Sequence, residues 1–224
     1  MSLMRIQKYI SQQGWLSRRK AEEAMQNGHV KVNGEVVKEL GTKINPEKDK
    51  VELDESILNK KYIYLAVYKP KKMVTNLPQN DEIEVRNFLP EEYKHLNAVG
   101  RLDKDSEGLI LFTDDGIFSK HFLDPKVSHK RLYEIKVNKD LDATMIEQLE
   151  DEMLLDGYLL KPTKVERLSH KHFTIELTEG KNRQIRRMIE EVGSYVVMLK
   201  RLKFGPYDIG DLESGDYKEV SNLI

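Results

Sequence analysis

Apolar residues in this chain change their spacing near residue 59, and no single class of secondary structure satisfies both parts of that pattern. Before the change, Ile6, Tyr9 and Ile10 recur at i, i+3, i+4, one face of a short helix that Gly14 ends. Ser17 offers a hydroxyl to cap a second helix, in which Ala21, Ala24 and Met25 repeat the spacing and Gly28 supplies the stop. Val30 and Val32 then alternate up to Asn33-Gly34, a two-residue hairpin signal, with Val36 and Val37 on the return, and residues 50–54 fit a further strand. Residues 58–61 are polar and read as a linker. Beyond them, residues 62–68, 109–113, 133–137 and 172–178 are rich in β-branched and aromatic side chains and fit strands. Asp142 is placed to cap a helix carrying Met145, Ile146, Leu149 and Met153, and Asn182 to cap one carrying Ile185, Met188, Ile189 and Val192. Strands outnumber helices without regular βαβ alternation. The expected fold class is therefore α+β, a mostly antiparallel mixed sheet over residues 59–224 with a small domain over residues 1–58 before it.

Composition removes several function classes. No apolar run approaches the roughly 18 residues that a membrane span needs, and the first residues lack an apolar stretch of signal-peptide length. With no Cys, the chain has no disulfides, no thiolate nucleophile and no thiolate metal site, which fits the cytoplasm. His121, His129, His170 and His172 lack metal-ligand spacing, and no metal is expected. The net charge of −1 gives no whole-chain signature of nucleic-acid binding, so any phosphate-binding surface must come from local clustering. One such cluster is Arg5, Lys8, Arg18, Arg19 and Lys20 around the Gly14 turn, either a solvated charged face or a phosphate contact. Trp15, between the two helices, is expected to be a packing residue.

The densest polar segment is GRLDKDSEGLILFTDDG, residues 100–116. Asp103, Asp105, Glu107, Gly108 and Asp114 fall at calcium-loop positions, but Leu109 to Thr113 is strand-like where an exiting helix is required. The acids fit solvated turn residues, or one of them fits an ionised carboxylate at a strand edge acting as nucleophile or base beside a cation. A source of cations lies downstream: Arg183, Arg186 and Arg187 recur at i, i+3, i+4 on the helix over residues 183–192. Three arginines in opening turns oppose the helix dipole and call for an anion, either Glu190 and Glu191 or a phosphate with a buried Asp.

The order helix, LSRRKAEE helix, HVKVNGEVV resembles the small RNA-binding module of ribosomal protein S-four, the alpha-L motif. GRLDKDSEGL resembles the catalytic loop of the RsuA-type pseudouridine synthases, and GKNRQIRRM with VGSYVVMLKR resembles that family's third motif. In wording these motifs are most similar to the large-subunit ribosomal RNA enzymes of the RluF and RluB kind. The resemblance implies Asp103 as nucleophile, Tyr133 stacking on the target uracil, Arg186 paired with the Asp103 carboxylate, and Arg101 entering the base stack. The S-four resemblance implies docking on structured RNA through Arg18, Arg19, Lys20 and the Val30 to Gly34 segment, beside the clustered Arg5 and Lys8. Lys69, Lys71, Lys72, Lys181, Arg183 and Arg187 are the cations expected along a phosphate track. No cofactor, a ribosomal RNA partner and a monomer are expected. The family's first motif commonly reads N-K-P-x-G. Here Tyr68 and Lys72 replace the Asn and the Gly, which bears on backbone conformation at residue 72. Alternatives of other kinds are a small-subunit RNA target, a non-catalytic ribosome-assembly factor, and a metal-dependent hydrolase built on Asp103, Asp105 and Asp114.

Overall fold

The computed structural model describes residues 3–58 and 61–223. Residues 59 and 60 of the expected linker, and with them the expected domain boundary, lie outside the described residues. Two compact units result, Met1–Ile63 with Thr113–His121, and Tyr64–Phe112 with Phe122–Ile224.

In the first unit, β1 (Met4–Arg5) leads into α1 (Ile6–Gln12), and α2 (Arg18–Gln26) follows the Gly14 turn. Ser17 caps α2 as the sequence indicates, its hydroxyl accepting from the Lys20 amide at 3.3 Å. β2 (Val30–Val32) and β3 (Glu35–Val36) form the Asn33-Gly34 hairpin, with β5 (Val51–Leu53) on the other side of β2, while β4 (Lys43–Ile44) pairs with β1 and α3 spans Glu55–Leu58. Ile6, Ile10, Ala21, Ala24, Met25 and Val30 close over one another in the core, so the residues at helical spacing are the ones buried. Trp15 stands edge-on to Tyr9 at 6.0 Å and keeps 36% of its surface exposed.

The second unit is a nine-stranded sheet. Its strands in chain order are β6 (Tyr64–Lys69), β7 (Asn97–Val99), β8 (Glu107–Thr113), β9 (Arg131–Val137), then β12 (Lys164–Ser169), β13 (His172–Leu177), β14 (Val196–Phe204), β15 (Tyr207–Asp208) and β16 (Tyr217–Glu219). Between β9 and β12 stands a separate hairpin, β10 (Leu154–Leu155) and β11 (Tyr158–Leu159). The main path runs β12-β13-β9-β14-β8-β6-β16, with β7 on β8 and β15 on β14. The β12–β13, β13–β9, β9–β14, β14–β15 and β16–β6 pairs are antiparallel, whereas β14 lies parallel to β8, Lys200 opposite Glu107 and Arg201 opposite Gly108. Most of α4 (Gly116–Leu123) belongs to the first unit, while the helices of the second are α5 (Ala143–Glu150) and α6 (Gln184–Glu191). Asp142 caps α5, its carboxylate accepting from the Met145 amide at 2.9 Å. Helix α6 departs from expectation, since its N-cap is Arg183, in the left-handed conformation at φ 47°, rather than Asn182. In place of an Asx cap, Gln184 folds back and its Oε1 accepts from the Lys181 amide at 3.0 Å.

Candidate active site

A cavity of about 550 Å³ opens on the second unit, with Asp103 on its wall. The sheet supplies one side. Strand alternation puts Arg131 and Tyr133 of β9 on the same face, and Arg201 of β14 is the direct cross-strand neighbour of Tyr133. A register shift between Arg201 and Lys203 returns Phe204 to that face, opposite Arg131. The guanidinium carbons of Arg131 and Arg201 stand 4.9 and 4.8 Å from the Phe204 ring centroid. The other side is the loop at 100–106 and the turn at 180–185.

Asp103 is fixed through its backbone, because every neighbouring carbonyl of its loop is tied. The Asp103 carbonyl accepts from the Ser106 amide at 3.0 Å. Thr75 exchanges bonds with Leu102, its hydroxyl donating to the carbonyl at 2.8 Å and accepting from the amide at 3.0 Å. The Lys72 amide donates to the Lys104 carbonyl at 2.8 Å, and Arg186 Nη2 to the Asp105 carbonyl at 3.0 Å. Lys69 Nζ donates to the Ser106 carbonyl at 2.6 Å and to the Pro70 carbonyl at 2.9 Å. Such over-determination holds a side chain in one geometry before substrate arrives. Gly108, at the start of β8, allows the closest approach. A Cβ there would fall 2.4 Å from the Arg201 carbonyl oxygen, so only glycine lets β14 lie against β8 at this point.

Several expected roles move. Asp103 is a third exposed, and its ion pair is with Arg183 Nη1 at 3.7 Å, not with Arg186. Arg186 is instead buried behind the loop, bonded to the Asp105 carbonyl and 3.4 Å from Ser106 Oγ. Burial, with Arg183 beside it, pushes the Arg186 guanidinium below its ordinary value. Arg187, expected on a phosphate track, forms an ion pair with Asp156. The three arginines of the helix start thus answer to three different partners: a carboxylate in the cavity, the loop backbone, and a carboxylate on the β10–β11 hairpin. Lys69 is also corrected, since it has no exposed surface and cannot reach a phosphate from its position. Burial pulls its ammonium down to about 8, opposed by the charges of Asp103, Glu107 and Asp105. Lys71 lies 3.6 Å from Glu107, and Glu107 also accepts from the Tyr68 hydroxyl at 3.0 Å. Glu107 is thereby committed to the sheet rather than to a site shared with Asp103. Lys72 adopts φ 68°, in the left-handed region that favours glycine.

Arg101, Lys181 and Arg183, expected from the sequence to contact RNA, line the cavity, together with Arg131 and Arg201, which the sequence reading does not single out. Arg131 was within reach, because it precedes Tyr133 by two residues and strand alternation forces both onto one face. Among cavity-lining residues, the cations Arg101, Arg131, Lys181, Arg183 and Arg201 meet the carboxylate of Asp103 alone. A cleft so lined suits a polyanion with one reactive acid inside it. In the first unit Arg5, Lys8, Arg18 and Arg19 are exposed, and Lys20 is paired with Glu23 at 3.0 Å.

Comparison with known proteins is consistent across the chain. Residues 63–191 match the RNA pseudouridylate synthase family, and residues 4–51 match the S4 domain. "Ribosomal large subunit pseudouridine synthase B" of Bacillus subtilis is 35% identical over 97% of this chain and 92% of its own length. An uncharacterised RNA pseudouridine synthase of Aquifex aeolicus is 32% identical over 99% of this chain and 92% of that protein. A crystal structure of a pseudouridylate synthase superposes with a TM-score of 0.72 at 28% identity, covering 97% of this chain and 96% of that one. With the α+β sheet, the amino-terminal S4 domain and the cationic cleft described above, the chain belongs to the RNA pseudouridylate synthase family.

Proposed function

We propose that this enzyme converts a specific uridine of large-subunit ribosomal RNA to pseudouridine, with Asp103 as the nucleophile, acting as a monomer in the cytoplasm. The observation that carries the reading is the placement of Asp103: a carboxylate on the wall of a cationic cavity, beside Arg183 and in the same cavity as Tyr133. The large-subunit substrate is supported by the printed name of the Bacillus relative.

The reaction breaks the bond from the ribose carbon to uracil N1, turns the ring and rejoins it through C5, with no net redox change. A carboxylate suits this because it adds to uracil C6 or to the ribose carbon, or takes a ribose proton, and is afterwards released. The target base must first leave its stack, at a cost of a few kcal/mol. Tyr133 returns about 1 to 3 kcal/mol by stacking on the uracil, and Arg101 fills the place the base leaves. Arg183 lies beside the Asp103 carboxylate at 3.7 Å and contacts the substrate in the loaded cleft, while Arg186 acts as a positioning residue through the loop carbonyls. Residues 1–58 dock on structured RNA through Arg5, Lys8, Arg18, Arg19 and Lys20.

Asp103→Asn tests the assignment. RNA affinity persists and pseudouridine formation falls to background; a fully active variant would remove Asp103 from the chemistry. Carbodiimide primer extension on ribosomal RNA from a deletion strain identifies the site. A missing stop in the large-subunit RNA supports the target class, and a complete set of pseudouridines overturns it.

A further inference from the structure

The β10–β11 hairpin stands outside the main sheet, yet it is tied to the cavity. Asp156 at φ 50° and Gly157 at φ 78° form its two-residue turn. Register sets Leu155 opposite Tyr158 and Leu154 opposite Leu159. Leu155 is buried and anchors one side, whereas the Tyr158 ring is 61% exposed. Two contacts fix the hairpin beside the turn at 179–183 and α6: the Arg187–Asp156 ion pair, and the Lys161 amide donating to Glu179 Oε1 at 3.2 Å. A third joins it to the cleft. Lys181 Nζ lies 4.9 Å from the Tyr158 ring centroid, and Lys181 lines the cavity that holds Asp103.

Tyr158 is not exposed singly, since Leu154 and Leu159 of the same hairpin are also about two-thirds exposed, and contiguous apolar surface of this kind marks an interaction site. Here Lys181 Nζ stands over one face of the Tyr158 ring, the residue stays 61% exposed, and Lys181 continues into a cleft lined by Arg101, Arg131, Arg183 and Arg201. A π-face for a base and an ammonium for its phosphate are together the chemistry that holds unpaired nucleic acid. We propose that Tyr158 and Lys181 form a stacking site for an unpaired nucleotide of the RNA beside the target uridine. This rests on the RNA-modifying reading above, and it adds a second base contact separate from Tyr133.

The test uses the full-length enzyme and a large-subunit ribosomal RNA transcript that the wild type modifies. Tyr158→Ala weakens RNA binding about 5- to 150-fold, the range of one lost base stack, with kcat at saturating RNA unchanged. Tyr158→Trp restores affinity, since any π-face serves. Lys181→Ala lowers the slope of log K against log salt by about 0.7 to 0.9, whereas Tyr158→Ala leaves that slope as it is. Equal affinity of wild type and Tyr158→Ala, with the wild type active, overturns the stacking site and leaves the proposed function standing. No pseudouridine in the transcript with wild-type enzyme overturns the proposed function instead. A wild-type dimer that Tyr158→Ala splits in sedimentation shows that a second copy covers the ring, and the proposal fails.

Discussion

Replacing Lys69 by Met isolates the electrostatic burden of holding the loop at 102–106 with a buried ammonium. The lysine has no exposed surface, and its pKa falls from 10.5 to about 8 in the fold, chiefly through desolvation. Because the folded value lies below the unfolded one, the unfolded chain binds the extra proton between those two pH values. Stability therefore rises with pH across that window and is lowest below it. The shift of about 2.5 units corresponds to roughly 3 kcal/mol at 1.36 kcal/mol per unit. Met has the stem but no proton to titrate. At neutral pH the substitution removes the desolvation cost, yet it leaves the Ser106 and Pro70 carbonyls without their donor, at about 1 to 3 kcal/mol each. The two lost bonds together, about 2 to 6 kcal/mol, straddle the roughly 3 kcal/mol of relief, so Lys69→Met at neutral pH ranges from about 1 kcal/mol more stable to about 3 kcal/mol less stable than wild type. What distinguishes it is the pH profile: in urea unfolding followed by circular dichroism, wild type gains about 3 kcal/mol over Lys69→Met between neutral pH and 10.5. Parallel profiles would refute the reasoning, because they would mean the ammonium is solvated in the folded state.

Three further outcomes follow from single positions. Lys72→Gly raises the unfolding free energy from urea titration by up to about 1 kcal/mol, since φ 68° strains a side chain there, and glycine's greater freedom when unfolded offsets only part of the relief. Gly108→Ala costs more than about 3 kcal/mol or prevents folding, because its methyl would meet Arg201 backbone atoms at 2.4 and 2.7 Å; soluble expression and thermal midpoint report it. Asp142→Ala removes the cap of α5 and lowers stability by about 1 kcal/mol in the same urea assay.

Local chemistry was legible wherever one residue dictates one backbone feature. Ser17, Asn33-Gly34 and Asp142 all sit where their side chains or conformations require. The β10–β11 hairpin was missed although Asp156-Gly157 is the same kind of signal. Met153 continues the helical spacing of Leu149, and that periodicity masked the turn, while α5 ends at Glu150. Lys69 misled for a different reason. Strand β6 is buried on both faces from Leu65 to Lys69, so it has no polar side to which a lysine could be assigned. The arginine pairing depended on Arg183 adopting a left-handed N-cap, which redirects the opening turn of α6 and exchanges the partners of Arg183 and Arg186. No periodicity encodes that exchange.

The parallel placement of β14 beside β8 has a consequence for the order of events during synthesis. The penultimate long stretch of chain to leave the ribosome is inserted into the middle of the sheet, between β9 and β8. Until then, the carbonyl of Asp105 and the guanidinium that ties it down, 81 residues apart in sequence, have no template to bring them together. The sheet that carries the cavity therefore closes only once β14 has left the ribosome, however early residues 4–51, which match the S4 domain, are free to fold.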